Sequence, residues 1–505
     1  MMWLLTGCKQ SAHNPVRFLL TKENPCMHAL SPTDSAFLWM ETRNQPMHVA
    51  GLNIYTPPKG SGPDYVGRLV AEWGKSLKAF PPFNQHAVMR MGLWYWDEDK
   101  DFEIDYHLRH VALPQPGRIR ELLAMVSRVH GNLMDRNRPL WEMYVIEGLP
   151  GGRFATFTKI HHALVDGVSG AKMMAQSLSL TAKEQKPPVW AQEFPKHPSS
   201  KRSQVAPGLM DQLANVARAG RDILPGIGSG LWDIVRSGTD DGASALPFDA
   251  PPTPFNVEIS GSRRFASQSY SLSRFKRIGE AAGATINDVT LAVCAGALRK
   301  YLEAQKALPK KPLIAMVPMS LHGETDAGGN QVTLLLANLA THIADPVKRL
   351  KHIVKSTTEA KTRLRTMPRL QKMAHGITSI SPIGAGMVTG TSKKHPPFNL
   401  VISNVPGPKD TLYLNGARLD EVYPASIPTH YLALNITISG YGDNLGFGFI
   451  ACRRSVPALQ RMLDYTDSSI QELEAALNIS SSINTTITTA APSTRTKKGA
   501  AKHSA

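Results

Sequence analysis

The segment KIHHALVDGVSG, Lys159–Gly170, sets two histidines side by side, an aspartate four residues after the second, and a glycine next to that aspartate. The run before it, RFATFTKIHH (Arg153–His162), has the length and apolar content of a strand. The run after it, VSGAKMMAQSLSL, repeats Val168, Ala171, Met174/Ala175 and Leu178 at helical spacing. The segment is therefore the bend between a strand and a helix. Side chains alternate across a strand, so His161 and His162 are expected to point opposite ways, which argues against one shared metal ion. HExxH, GxSxG, GxGxxG and the Walker A loop are all missing from the chain. That leaves one working imidazole. If His162 faces a cavity, it can take a proton from an alcohol near neutral pH. Asp166 is expected to anchor the bend through a buried pair with an arginine, and Gly167 to supply a φ that other residues avoid. A purely structural histidine pair at a strand end is the alternative.

Further out, NQPMHVAGLNIY (Asn44–Tyr55) reads as a strand. RIRELLAMVSRVHGNLMD (Arg118–Asp135) reads as a helix with Leu122, Leu123, Val126, Val129, His130 and Leu133 on one face. From about Thr181 to Gly208 the chain is rich in Pro, Lys and Ser and reads as an exposed linker. LMDQLANVARAGRDIL (Leu209–Leu224) is an amphipathic basic helix candidate that can lie on a membrane or pack on the protein itself. SALPFDAPPTPFN (Ser244–Asn256) reads as a second linker. TINDVTLAVCAGALRKYL (Thr285–Leu302) is a helix, with Thr285 as N-cap and Asp288 three residues on. KPLIAMVPMSL and FNLVISNVPG read as strands, LNITISGYGDNLGFGFIA (Leu434–Ala451) as a hairpin, and SVPALQRMLDYTDSSIQELEAAL as the last helix. The organisation expected is an extension over residues 1–26, a first domain over 27–185, a linker region over 186–256, a second domain over 257–478 and a disordered tail over 479–505.

The chain has 505 residues, enough for two domains, and a formal net charge of +17. Such an excess favours an anionic partner: nucleic acid, acidic lipid or a phosphate-bearing ligand. No recognised motif supports nucleic acid. Cys8, Cys26, Cys294 and Cys452 form no CxxC pair and no zinc pattern, which suits reduced thiols in the cytoplasm. LLTGC, ending at Cys8, imitates a lipoprotein cleavage site, but no basic residue precedes it and its apolar stretch is too short.

Nine blocks then occur in order: LSPTDSAFLWME, PMHVAG, DYHLRHVALPQPG, DRNRPLWEMYVIEGL, HHALVDGVSG, TINDVTLAV, VPMSL with GGN, SNVPGP and LNIT. Through them the chain, from about Met27 to Leu477, resembles the bacterial wax ester synthase/diacylglycerol acyltransferase family. The resemblance implies an α/β, two-domain, CoA-dependent acyltransferase fold with a tunnel at the domain junction. It implies transfer of a long-chain acyl group from acyl-CoA to a fatty alcohol or diacylglycerol, with acyl-CoA as substrate and no other cofactor or metal. His162 matches the general base, His161 its support, and Asp166 and Gly167 the turn. Pro139, Leu140 and Trp141 match a block expected near the acyl or alcohol pocket. Asn287 and Asp288 match one expected to support structure or catalysis. Ser403 and Asn404 open SNVPGP, expected near the tunnel. Two departures stand out: His322 replaces a usual arginine, and Tyr431 stands where glycine is common. A bulky ring at Tyr431 is expected to narrow a pocket and shift chain-length preference. A cytoplasmic, peripheral enzyme on the inner membrane face or on lipid inclusions follows as the expected setting, with the charge serving CoA and acidic lipid. A condensation-type enzyme using another thioester donor, and a non-catalytic lipid-inclusion protein, are the competing readings.

Overall fold

The computed structural model describes residues 27–194, 248–320, 332–366 and 391–479. His322, the predicted helix 209–224, residues 1–26 and nearly all of the predicted tail lie outside them. Two six-stranded sheets dominate. The first contains β2 (His48–Thr56), β5 (Leu108–Ala112), β6 (Trp141–Glu147), β7 (Phe154–His161), β12 (Tyr413–Leu414) and β13 (Ala417–Ala425). Its order is β12-β13-β2-β7-β6-β5. The second contains β8 (Arg263–Ser271), β9 (Ile314–Ser320), β10 (Val332–Asn338), β11 (Leu400–Val405), β14 (Leu434–Tyr441) and β15 (Asn444–Cys452), in the order β10-β9-β11-β14-β15-β8. A small sheet joins β1 (His28–Ala29) to the hairpin of β3 (Gln85–Arg90) and β4 (Leu93–Glu98).

Strand β7 is buried along its whole length because β2 and β6 flank it and apolar layers cover both faces. Helix α1 (Pro32–Met40) begins at Ser31, whose side chain accepts from the Asp34 N–H. Helix α2 (Tyr65–Gly74) packs Val66, Leu69 and Trp73 into the first core, followed by the single turn α3 (Ile104–His107). Helix α4 (Ile119–His130) buries Leu122, Leu123 and Val126, as its periodicity predicts, but stops at Gly131 rather than running to Asp135. Leu133, assigned to the buried face, is therefore exposed. Helix α5 (Gly167–Gln176) follows the histidine bend. In the second half, α6 (Leu272–Ala282), α7 (Ile286–Ala304), α8 (Pro346–Thr366) and α9 (Arg461–Ala476) pack about a core that includes Val293, Leu298, Ile353 and Ile470. The predicted β14–β15 hairpin is present with its full register.

Three features depart from the sequence reading. The stretch after Thr181 is not an exposed linker throughout. Trp190 is buried, donates from Nε1 to the Ser76 carbonyl at 3.3 Å and stacks on Trp141, so one aromatic ring pins a Pro-rich segment to the core. The second linker also ends in packed structure. Phe255 is buried in the second core, and the Asn256 side chain donates to the carbonyls of Phe398 (3.2 Å) and Tyr431 (3.0 Å). The third departure is topological. Strands β12 and β13, taken from the span assigned wholly to a second domain, complete the first sheet, with β13 pairing antiparallel to β2.

That exchange brings the two sheets together. Carbonyls of β13 lie directly against β15: a Cβ at Gly446 would sit 2.0 Å from the Val422 carbonyl oxygen, and one at Gly448 would sit 1.8 Å from that of Pro424. Only glycine permits this approach. Around it, Phe157 and Leu52 of the first sheet share one apolar cluster with Phe265 and Ile450 of the second. The junction is thus a packed core, which fixes the histidine bend relative to both halves.

Candidate active site

The bend is built by hydrogen bonds that the local sequence supplies. His161 is the last residue of β7; its N–H donates to the Leu140 carbonyl (2.9 Å), and the His162 N–H donates to the Met47 carbonyl (2.8 Å). Asp166 then caps α5. One carboxylate oxygen accepts from the N–H groups of Val168 and Ser169, both at 2.9 Å, and the other accepts from the Ser169 hydroxyl at 2.7 Å. Such a cap contributes about 1 kcal/mol and fixes where the helix starts.

This corrects two expectations. Among the described residues no arginine pairs with Asp166; its carboxylate is occupied by the helix it opens. Gly167 has no left-handed φ, and a Cβ there would meet nothing within 4 Å. Its lack of a side chain leaves open space at the start of α5 and relieves no strain.

The two histidines do part company. His161 is fully buried. Its Nδ1 accepts from the Ala163 N–H at 3.1 Å, which places the proton on Nε2. Nε2 faces Oε1 of Glu41 at 3.5 Å, an ion-pair separation longer than a good hydrogen bond. Glu41 is buried, accepts from the Met47 N–H (3.0 Å), and pairs with Arg136 at 3.1 Å. Burial raises the Glu41 pKa, but His161, the Met47 amide and Arg136 together outweigh it and hold the carboxyl below its ordinary range. Thus an arginine does anchor this site, through Glu41 rather than Asp166.

His162 is only half-buried. Its ring lies flat on Phe37 of α1, with centroids 4.1 Å apart and planes 18° from parallel. A hydrogen bond to its own backbone carbonyl holds the ring, and Asp166 favours its charged form. Burial outweighs both and lowers the His162 pKa, so the imidazole is neutral and ready to accept a proton at neutral pH. Asp34, near the start of α1, has its pKa raised, chiefly by burial and also by the charge on Asp166. Among the described residues no three His, Cys, Asp or Glu side chains converge as metal ligands.

The remaining sequence candidates divide. Pro139, Leu140 and Trp141 do lie beside the bend, yet as packed scaffold. Leu140 and Trp141 are fully buried; Leu140 presents its carbonyl to His161, and Trp141 donates from Nε1 to the Phe83 carbonyl at 2.8 Å. Asp288 is also spent on structure. It completes a capping box with Thr285 at the start of α7, and its Oδ1 accepts from the Thr357 hydroxyl of α8 at 2.7 Å. Neighbouring Asn287 is half-buried at the same helix start. Ser403 and Asn404 lie on β11, opposite Thr437 and Ile438 of β14 in parallel register. Ser403 thereby joins the sheet face carrying Asn435, Thr437 and Ser439, while Asn404 points to the other face. Tyr431 has a φ of 65°, the left-handed region that favours glycine. Its hydroxyl donates to Glu258 at 3.3 Å. The preceding residue, His430, donates its N–H to the Gln45 side chain at 2.7 Å, two residues from the Met47 carbonyl that holds His162.

Glu41, Arg136 and Phe37 were missed as functional residues. The available signal was a lone acid closing the apolar run FLWME and the first of two arginines shortly before PLW.

The model of the wax ester synthase/diacylglycerol acyltransferase catalytic domain matches residues 30–290, and that of the family's C-terminal domain matches residues 328–474. A Mycobacterium tuberculosis protein named a probable diacylglycerol O-acyltransferase is 44% identical over 460 residues, covering 90% of this chain and 100% of that one. The solved wax ester synthase/diacylglycerol acyltransferase of Marinobacter aquaeolei is 41% identical, with a TM-score of 0.74 over 89% of this chain and 99% of that one. The first condensation domain of the calcium-dependent antibiotic synthetase shares the fold alone: 15% identity and a TM-score of 0.53 over 90% of this chain and 97% of that domain.

Proposed function

Because the chain belongs to the wax ester synthase/diacylglycerol acyltransferase family, we propose that it moves a long-chain acyl group from acyl-CoA to the hydroxyl of a fatty alcohol or a diacylglycerol. The observation that carries the mechanism is the contrast within the bend: a sealed His161 held by Glu41, beside a neutral, partly open His162. His162 accepts the acceptor's hydroxyl proton as its oxygen attacks the thioester carbonyl. The tetrahedral adduct collapses, the carbon–sulfur bond breaks, and CoA leaves as a thiolate that takes up the proton. An oxygen ester forms without an acyl-enzyme. General-base help of this kind contributes roughly 10²–10⁴-fold, and the thiolate is already a good leaving group. Acyl-CoA enters as a substrate; the chain's own side chains carry the chemistry.

The positive charge suits both polyanionic CoA and acidic lipid, which supports a cytoplasmic, peripheral enzyme on the inner membrane face or on lipid inclusions. Among the described residues no single helix is long and apolar enough to cross a membrane. The test is labelled palmitoyl-CoA with hexadecanol or with diacylglycerol, run beside His162→Ala. Labelled neutral lipid from the wild type alone is expected; its absence from both proteins overturns the reading.

A further inference from the structure

The hairpin β3–β4 carries a surface feature that the acyl-transfer chemistry does not use. At its turn Met89, Arg90, Met91 and Gly92 are all exposed, Met89 at 45% and Met91 at 80%. Trp39 of α1 is 59% exposed and meets Trp94 of β4 edge-on, with ring centroids 5.9 Å apart. Single exposed apolar residues are ordinary; two methionines at one tip beside an exposed tryptophan of the helix packed against that hairpin are not. The tip also contradicts its own backbone. Met91 has a φ of 49° and Gly92 a φ of 79°, the pair of left-handed residues that two-residue hairpins usually build from Asn-Gly. A methionine there is unfavourable for the turn and unfavourable in water. No acid lies between Ala87 and Trp96; Asp97 and Glu98 sit at the far end, opposite His86 and Gln85.

We propose that Trp39, Met89, Arg90 and Met91 form a docking tip that inserts into the surface of an anionic lipid layer holding the acyl acceptor. This rests on the acyl-acceptor reading given above. Tryptophan and methionine suit the acyl boundary, and a lone arginine suits acidic headgroups. The tip is also joined to the site. Helix α1 turns Trp39 outward while Phe37, two residues earlier, stacks on His162. Beneath the hairpin, Trp94, Ala87, Leu38 and Leu140 form one cluster with Ala163, the residue after His162. Packed side chains thus connect a lipid surface touched by this tip to the bend that carries the base. A second copy of the chain is a weaker occupant, since four side chains fall far short of the ~800 Å² that each partner buries in a standard interface.

The experiment is co-sedimentation of the full chain with phosphatidylcholine–phosphatidylglycerol vesicles, comparing wild type, Met91→Asn and the double variant Met89→Ser/Met91→Ser. Asparagine suits the turn, so Met91→Asn is expected to unfold no earlier than wild type yet bind vesicles several-fold more weakly. The double variant is expected to bind about tenfold more weakly. Turnover of a short-chain acyl-CoA with 1-hexanol in vesicle-free buffer is expected to stay within about twofold of wild type for both variants. Turnover of diacylglycerol in vesicles is expected to fall with binding. Wild-type vesicle binding by both variants overturns the proposal, as does a change from dimer to monomer without loss of vesicle binding. Failure of the wild type to acylate any acceptor instead overturns the proposed reaction, and the binding comparison still decides the docking tip.

Discussion

Two pairs of histidines lie one strand apart. His161 and His162 end β7; His48 begins β2 directly opposite His161, and its ring lies 4.7 Å from that of His130 at the end of α4. The second pair is sealed. His48 Nε2 donates to the His130 carbonyl at 2.9 Å, and both residues are buried. Burial, reinforced by cations that include Lys159, depresses both pKa values, that of His130 to about 3. Lys159 itself is paired with Glu142 at 3.1 Å and donates to the carbonyls of Val129 and Asn132. The first pair differs in one respect that matters: His162 keeps a partly open ring beside an aspartate. Residue type is therefore not what separates a base from a brace. Access and the neighbouring charge are.

Removing the open imidazole sharpens this contrast most. His162→Ala is expected to lower kcat/KM by roughly 10²–10⁴-fold with an unchanged melting temperature; an effect under about threefold returns His162 to the structural class. Glu41→Gln comes next. It weakens the carboxylate that faces His161 and pairs with Arg136, and kcat is expected to fall about 10–100-fold, since bonds to charged groups are worth about 1.5–3 kcal/mol. If KM alone moves, Glu41 does not act through the histidine pair.

Asp288→Ala tests the opposite kind of residue. Losing the capping box and the Thr357 bond is expected to lower stability by about 1–3 kcal/mol in denaturant, leaving kcat/KM within about twofold of wild type. A tenfold rise in KM with unchanged stability restores Asp288 to the substrate site.

The smallest expected effects are those of pH. The His162 pKa is depressed, so the acid limb of kcat/KM is expected to bend below 6.5, the ordinary histidine value. The His48–His130 pair bears on stability instead. Its rings are held neutral, so between pH 6.5 and about 3 the unfolded chain binds more protons than the folded one. The melting temperature is expected to hold above pH 6.5 and fall progressively below it. His130→Gln is expected to flatten that slope; an unchanged slope assigns the acid sensitivity to other groups.

Much of this was legible in the sequence because it is local. The β7–bend–α5 unit, the Thr285 cap and the β14–β15 hairpin follow from spacing within about twenty residues. What escaped is long-range. Asp166 is the exception, since an aspartate directly before a helical run is a local capping signal; nothing near Glu41, by contrast, says that it meets Arg136, 95 positions away. The Pro-rich stretch after Thr181 has the composition of a linker, and only the burial of Trp190 shows otherwise. The PLW block, expected near the acyl or alcohol pocket, lies beside the bend as scaffold, and alternation could not reveal that Trp141 is walled in by Phe83, His107 and Trp190.

Strand β13 has a consequence for how the chain is made. During synthesis from the N-terminus, β2, β6 and β7 emerge long before residues 417–425, which cover the free side of β2. For that interval β2 offers LNIYT as an unpaired edge to any other nascent chain. The enzyme's first sheet is thus closed by nearly the last sixth of its sequence, and a ribosome that stalls before residue 417 leaves an adhesive fragment instead of an independently folded half.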